Sequence, residues 1–261
     1  MAMGAQAEVS THLQKCKAVG VDIVSVSKSF GDNHVLTDLS LEVYPGETLL
    51  IIGKSGSGKS VLLKHIIGLL TPDSGRILIG GMDVADPELN KEHRLAMVFQ
   101  SAALFNSLTT AENIALYHRE HRLYSEEEIA EIVKETLEIV ELEGKEDIMP
   151  SELSGGMKKR VAIARALAMS PELILYDEPT GELDPMMTRM IGDEIIRLRN
   201  KIEVTQIVVT HDVELAAQTA DRVAILDSGH ILEVGTLSQI RSSGNPKVLS
   251  FFDRWFNGGV N

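Results

Sequence analysis

Two rhythms of apolar residues alternate along this chain, one with period two and one recurring every three or four positions. Positions 21–26 alternate apolar and polar, Gly31-Asp32-Asn33 forms a turn cluster, and Leu39, Leu41 and Val43 again recur with period two. This predicts antiparallel strands at the start. Pro45-Gly46-Glu47 turns the chain into 48–52, an almost continuous apolar run of the kind buried on both faces of a sheet. A glycine-rich loop follows, then a helical pattern over 60–70 that Thr71-Pro72-Asp73-Ser74-Gly75 stops. Strands are predicted at 76–79 and 95–99, and 110–143 reads as helical and acidic, with Ser125 as an N-cap before Glu126, Glu127 and Glu128.

After Pro150 the alternation resumes, with helices predicted at 157–168, 185–199 and 213–219. Strands are expected at 173–176, 204–210, 222–226 and 230–234. Such β-α alternation implies an α/β fold with a mainly parallel sheet and flanking helices. The helical insert, 101–168, would form a second lobe. Residues 1–18 read as a mobile leader, 19–241 as the main domain and 242–261 as a tail.

Composition narrows the partners. A formal charge of −13 argues against broad nucleic-acid binding, or attachment to anionic lipid by charge alone. It does not argue against a polyphosphate held by backbone N–H groups and a lysine. Cys16 is the only cysteine, so no intrachain disulfide forms. The start shows no secretory pattern, and the apolar runs fall short of the ~20 residues that span a membrane.

The chemistry concentrates in a few segments. Gly53-Lys54-Ser55-Gly56-Ser57-Gly58-Lys59-Ser60 fits G-x-x-x-x-G-K-[ST] between a predicted strand and helix. Its glycines let successive N–H groups turn toward phosphate oxygens, and the helix N-terminus adds its dipole. Lys59 would reach the β- and γ-phosphates, and the Ser60 hydroxyl would ligate Mg²⁺. The strand 173–176 ends in Asp177 and Glu178. Asp177 is placed to hold Mg²⁺, and Glu178 to orient or deprotonate an attacking water. His118 and His121, three apart on a predicted helix, read as surface residues rather than zinc ligands.

Leu153-Ser154-Gly155-Gly156-Met157, continuing through Lys158-Lys159-Arg160 to Leu167, resembles the signature of the ABC ATPases. The resemblance runs from about Val21 to Val234, with the motifs in the family's order. It implies a P-loop NTPase fold of ABC type with N-terminal antiparallel strands, a helical subdomain, and hydrolysis of Mg-ATP. It further implies that Phe30 stacks on adenine, Gln100 serves the Mg²⁺ site, Asp184 belongs to the D-loop and His211 contacts the γ-phosphate. By the same resemblance, Ser154, Gly155 and Gly156 face the nucleotide of a second copy, so the chain works as a homodimer beneath a membrane permease dimer. Leu104 and Phe105, within 101–109, are candidates for the permease contact, at the cytoplasmic face of the inner membrane.

The chain departs from the common family pattern at three places: Val61, grouped with the nucleotide-binding loop, Met157, and the pair Gly181-Glu182. Gly58–Lys64 and 153–157 together resemble the Mla/Mkl-type phospholipid transport ATPases, which work with an MCE-type lipid-binding protein. The ending Asn245 to Phe252 resembles that group too. Another cargo, or a non-transport ABC ATPase, remains an alternative, because cargo is selected by partners outside this sequence. Phe251, Phe252, Trp255 and Phe256 fall within six residues and would make one apolar stripe on a helix, packing on this domain or on a sister subunit; a membrane-surface helix is the alternative, though Lys247 and Arg254 give it little basic support.

Overall fold

The computed structural model describes residues 17–181 and 183–256. The leader through residue 16, Glu182 and the last five residues lie outside the described residues, as do the side chains of 252–256. The chain begins with β1 (Val21–Phe30), β2 (Asn33–Val43), β3 (Thr48–Ile52), α1 (Lys59–Ile66), β4 (Ser74–Ile79) and β5 (Met82–Asp83). It continues through α2 (Leu89–Glu92), β6 (Leu95–Val98), α3 (Thr110–His121), α4 (Glu126–Ile139) and α5 (Gly155–Ala168). Then come β7 (Leu173–Asp177), α6 (Pro185–Ile202), β8 (Thr205–Thr210), α7 (Val213–Thr219), β9 (Arg222–Asp227), β10 (His230–Gly235), α8 (Leu237–Arg241) and α9 (Pro246–Phe256).

Two sheets form, one antiparallel in the order β2-β1-β4-β5 and one six-stranded in the order β10-β9-β3-β8-β7-β6. In the second, β9, β3, β8, β7 and β6 are parallel, and β10 closes an antiparallel hairpin on β9. The all-apolar run of β3 is explained by what covers its two faces. Leu49 and Ile51 pack with α1 and the antiparallel sheet, whereas Leu50 and Ile52 join the core under the helices. Helices α3, α4 and α5 pack on one another as the helical subdomain. Val248 and Phe251 of α9 belong to the same core cluster as Leu50 and Ile52.

Several boundaries differ from the pattern-based expectation. Helix α1 stops at Ile66, because Gly68 adopts φ 77° and the chain folds back: Leu69 N–H donates to Lys64 O and Gly68 N–H to His65 O. That is the Schellman arrangement, which glycine permits. The stretch 110–143 splits where Arg122 turns left-handed, and Ser125 begins α4 with a reciprocal capping box to Glu128. Contrary to the expectation from sequence, His118 is not a surface residue. It is buried and hydrogen-bonds Ala168 O at 2.7 Å through Nε2, joining α3 to the end of α5. His121 is exposed, and no metal-binding cluster occurs among the described residues.

One carboxylate at the subdomain junction has a cost. Glu194 of α6 is 4% exposed, and its Oε1 has no hydrogen-bond partner among the described residues. Arg197 stands 3.4 Å away, but also donates to Ile139 O and Glu141 Oε1 at the end of α4. Burial pushes the Glu194 carboxyl up to about 7 from 4.5, against the opposing Arg197. The folded chain therefore holds a proton that the unfolded chain has lost between these values. This contribution is fully present below pH 4.5 and is lost as pH rises through 7. Glu194→Gln should remove that decline, stabilising the chain at pH 8 by on the order of 3 kcal/mol and changing little at pH 4.5. Urea unfolding of both proteins across this range checks the difference.

Candidate functional site

The parallel register brings the chemistry together. Ile52 lies opposite Thr210, Val209 opposite Asp177, and Tyr176 opposite Val98. The segments that follow these strand ends, beginning at Gly53, His211, Glu178 and Phe99, therefore emerge side by side at one edge of the sheet.

The loop after β3 is shaped by close packing. A Cβ on Gly53 would come within 2.5 Å of Leu226 O. Gly58 sits at φ 106°, and an added Cβ would lie 2.8 Å from Leu36 Cδ2 and 3.0 Å from Val35 O. Only glycine fits that combination of backbone and space. Ser57 N–H donates to Lys54 O, and Ser57 O accepts from Gly229 N–H, so the β9–β10 turn braces the loop. Gly58 caps α1 without any side-chain hydrogen bond, leaving the first-turn N–H groups for another acceptor. The buried Lys59 Nζ donates to Gly53 O (2.8 Å) and Lys54 O (3.1 Å) and lies 3.4 Å from Glu178 Oε1.

Across from the loop, Ser60 Oγ donates to Asp177 Oδ1 at 2.8 Å. Burial raises the Asp177 carboxyl above its ordinary range, opposed by the Ser60 hydrogen bond. Glu178 occupies the left-handed region at φ 46°, its N–H donating to Val209 O. Its Oε2 accepts from His211 N–H at 3.1 Å and lies 2.8 Å from His211 Nδ1. Glu178 is thus 9% exposed and held between Lys59 and His211.

A cavity of about 690 Å³ opens here. Lys54, Ser55, Gly56, Gly58, Lys59, Ser60 and Val61 line it, together with Gln100, Glu178 and His211. Gly53, Ser57 and Asp177 do not line it; Asp177 accepts a hydrogen bond from the lining Ser60. Asn33 and Val35 also line the cavity and were not singled out from the sequence. The turn at Gly31-Asp32-Asn33 was visible, but its approach to the loop depends on the packing of β2 against Gly58. Phe30 is not in the lining; it ends β1, 49% exposed, with Lys28 Nζ 5.6 Å from its ring centroid.

Ser154, Gly155 and Gly156 do not line the cavity either. Ser154 caps α5 by accepting from Met157 N–H. A Cβ on Gly156 would meet Met187 Sδ at 2.9 Å, so this turn packs closely on the start of α6. Asp184 caps α6, accepting from Met187 N–H at 2.9 Å with Pro185 in the first turn.

The profile of the ABC transporter family matches residues 36–181, more than half of the chain. The chain belongs to the ABC transporter family. This ABC subunit is 40% identical over 240 residues to the sulfate/thiosulfate import ATP-binding protein CysA of Synechococcus elongatus. The match covers 92% of the subunit and 69% of CysA. It is 37% identical over 239 residues to the "Probable ribonucleotide transport ATP-binding protein mkl" of Mycobacterium leprae, covering 90% of this chain and 69% of that protein. A dimeric ATP-binding cassette solved in a post-hydrolysis state with ADP and Pi superposes with a TM-score of 0.76 at 34% identity, covering 83% of this chain and 98% of that one.

The subunit is an ATPase that uses ATP with Mg²⁺. The residues at the strand ends fit both. An uncapped helix N-terminus and a buried lysine suit phosphate oxygens. A hydroxyl hydrogen-bonded to a carboxylate is the all-oxygen donor set that Mg²⁺ prefers. Gly58→Ala should weaken binding of a fluorescent ATP analogue by at least about tenfold, because the strained loop must shift away from β2. Wild-type affinity in that variant would show that the close packing of Gly58 does not shape the site.

Proposed function

We propose that this ATPase powers phospholipid movement through a separate membrane permease, working as a homodimer on the cytoplasmic face of the inner membrane. The observation that carries the catalytic part is the convergence of Lys59, Ser60, Gln100, Glu178 and His211 on one cavity. Bound Mg²⁺ supplies a positive charge that neutralises the phosphates during transfer to water. Ser60, Asp177 and Gln100 would hold it, and the amides of 53–60 with Val61 would receive the phosphates. Phe30 supports the adenine from the end of β1.

Glu178 is the general base in this reading. Its carboxylate is fixed by Lys59 on one oxygen and His211 on the other, so a water on its open side would lose its proton to a pre-oriented acceptor. His211 then stands beside the transferred phosphate. Ser154, Gly155, Gly156 and Asp184 serve a second copy, which is supported by their position outside the cavity of their own chain. The likeness to a dimeric cassette supports the same arrangement.

Exposed Phe105 and half-buried Leu104, in the segment that follows Gln100, suit a permease contact. No helix among the described residues is long and apolar enough to cross a membrane, in keeping with a separate permease. The phospholipid reading, with an MCE-type partner, rests on Gly58–Lys64, 153–157 and the Asn245–Phe252 ending. A second reading, sulfate-type oxyanion cargo, is favoured by the 40% identity to CysA.

Both parts are tested by Glu178→Gln purified from mildly solubilised native membranes in the presence of ATP. Turnover should fall by about 10²–10⁴-fold while ATP stays bound, and a permease, an MCE-type protein and enriched phospholipid should accompany the chain. Undiminished hydrolysis contradicts the base assignment. A permease accompanied by an oxyanion-binding protein contradicts the cargo.

A further inference from the structure

The helix that begins with the signature also holds the segment after β6. Lys159, on α5, is 6% exposed, and its Nζ donates to the backbone O of Gln100. Six residues further on, Arg165 donates from Nη1 to Ala103 O (2.8 Å) and from Nη2 to Ala102 O (3.0 Å). Ala102 and Ala103 both adopt left-handed backbone, with φ 63° and 47°. Alanine disfavours that conformation, so local preference does not maintain the shape of 100–103. Cations from α5 bond to three of its four carbonyls. Such charge-assisted bonds are roughly twice as strong as neutral ones, and burial of Lys159 strengthens its bond further.

We propose that Lys159 is a positioning residue for the Mg²⁺–nucleotide site, fixing the Gln100 backbone and thereby the reach of the Gln100 side chain. The proposal rests on the reading of Gln100 given above. The Gln100 side chain runs past Gly181, where an added Cβ would lie 3.4 Å from Nε2, and lines the cavity. Its placement therefore depends on where its backbone is anchored. Lys159 follows Ser154 by five residues, about 7.5 Å along the helix axis. A displacement of α5 at its signature end reaches Gln100 through the Lys159 hydrogen bond. The signature of one copy is thereby linked to the metal site of the same copy.

The test titrates Mg²⁺ against a fluorescent, non-hydrolysable ATP analogue bound to the full chain. Wild type is compared with Lys159→Met, Gln100→Ala and the double variant. Lys159→Met should raise the Mg²⁺ concentration for half-maximal tightening by roughly tenfold, as loss of an outer-shell partner does. Affinity for the analogue in EDTA should stay at the wild-type value. Gln100→Ala should shift the Mg²⁺ dependence too, and the double variant should go no further than Gln100→Ala alone. Lys159→Arg, which keeps a cationic donor, should restore most of the response.

An unchanged Mg²⁺ dependence in Lys159→Met, or a shift that adds in full to that of Gln100→Ala, overturns the positioning role while leaving Gln100 in place. An unshifted Gln100→Ala overturns the reading of Gln100, and the role of Lys159 with it. If Lys159→Met melts far below wild type, Lys159→Gln carries the same comparison with a shorter polar side chain.

Discussion

The parallel hydrogen-bond register of β3, β8, β7 and β6 is the constraint on which the site depends. Parallel strands all point their C-terminal ends the same way, so every segment leaving them arrives at one edge. Here that edge receives Gly53–Ser60, Gln100, Glu178 and His211, drawn from positions more than 150 residues apart in the chain. A one-residue slip of β7 against β8 would turn Tyr176 and Leu175 to the wrong faces. It would also carry Asp177 away from Ser60. The apolar packing that fixes the register, with Leu50, Ile174, Tyr176 and Val208 on one face and Leu49, Leu175 and Val209 on the other, therefore also fixes the chemistry.

The second consequence of the fold is a division of labour. The phosphate loop belongs to the sheet, whereas the signature caps a helix of the inserted subdomain, and the cavity of one chain does not include it. In the proposed dimer each nucleotide joins a loop from one copy to a signature from the other. The Lys159 bond would give this arrangement an internal route, since the helix proposed to meet the partner's nucleotide also holds the Gln100 backbone of its own chain. Closure and metal positioning would then be two effects of one movement.

Much of this was legible from the sequence because it is local. The P-loop needs only a spacing and a strand-to-helix junction, and Ser125 and Asp184 are caps whose partners lie three residues on. The doubly buried β3 was visible as an uninterrupted apolar run. What escaped depends on contacts distant in sequence. His118 has a polar side chain on an acidic, amphipathic helix, and only the end of α5, 50 residues away, gives it a buried partner. Lys159 reads as a solvated charge until Gln100, 59 residues earlier, is brought beneath it. Glu194 likewise looks like one more acidic residue of a helix face, yet it lies inside the subdomain junction. Polar residues are assigned to the surface by default, and these three are among the residues where tertiary packing overrides that default.

In the proposed dimer each chain supplies half of each composite ATP site. This division is tested most directly by the mass of the full chain carrying Glu178→Gln, measured by light scattering with and without Mg-ATP. The mass should double with ATP and revert to that of a single chain when ATP is replaced by ADP. A mass that stays at one chain with saturating ATP bound would contradict the division.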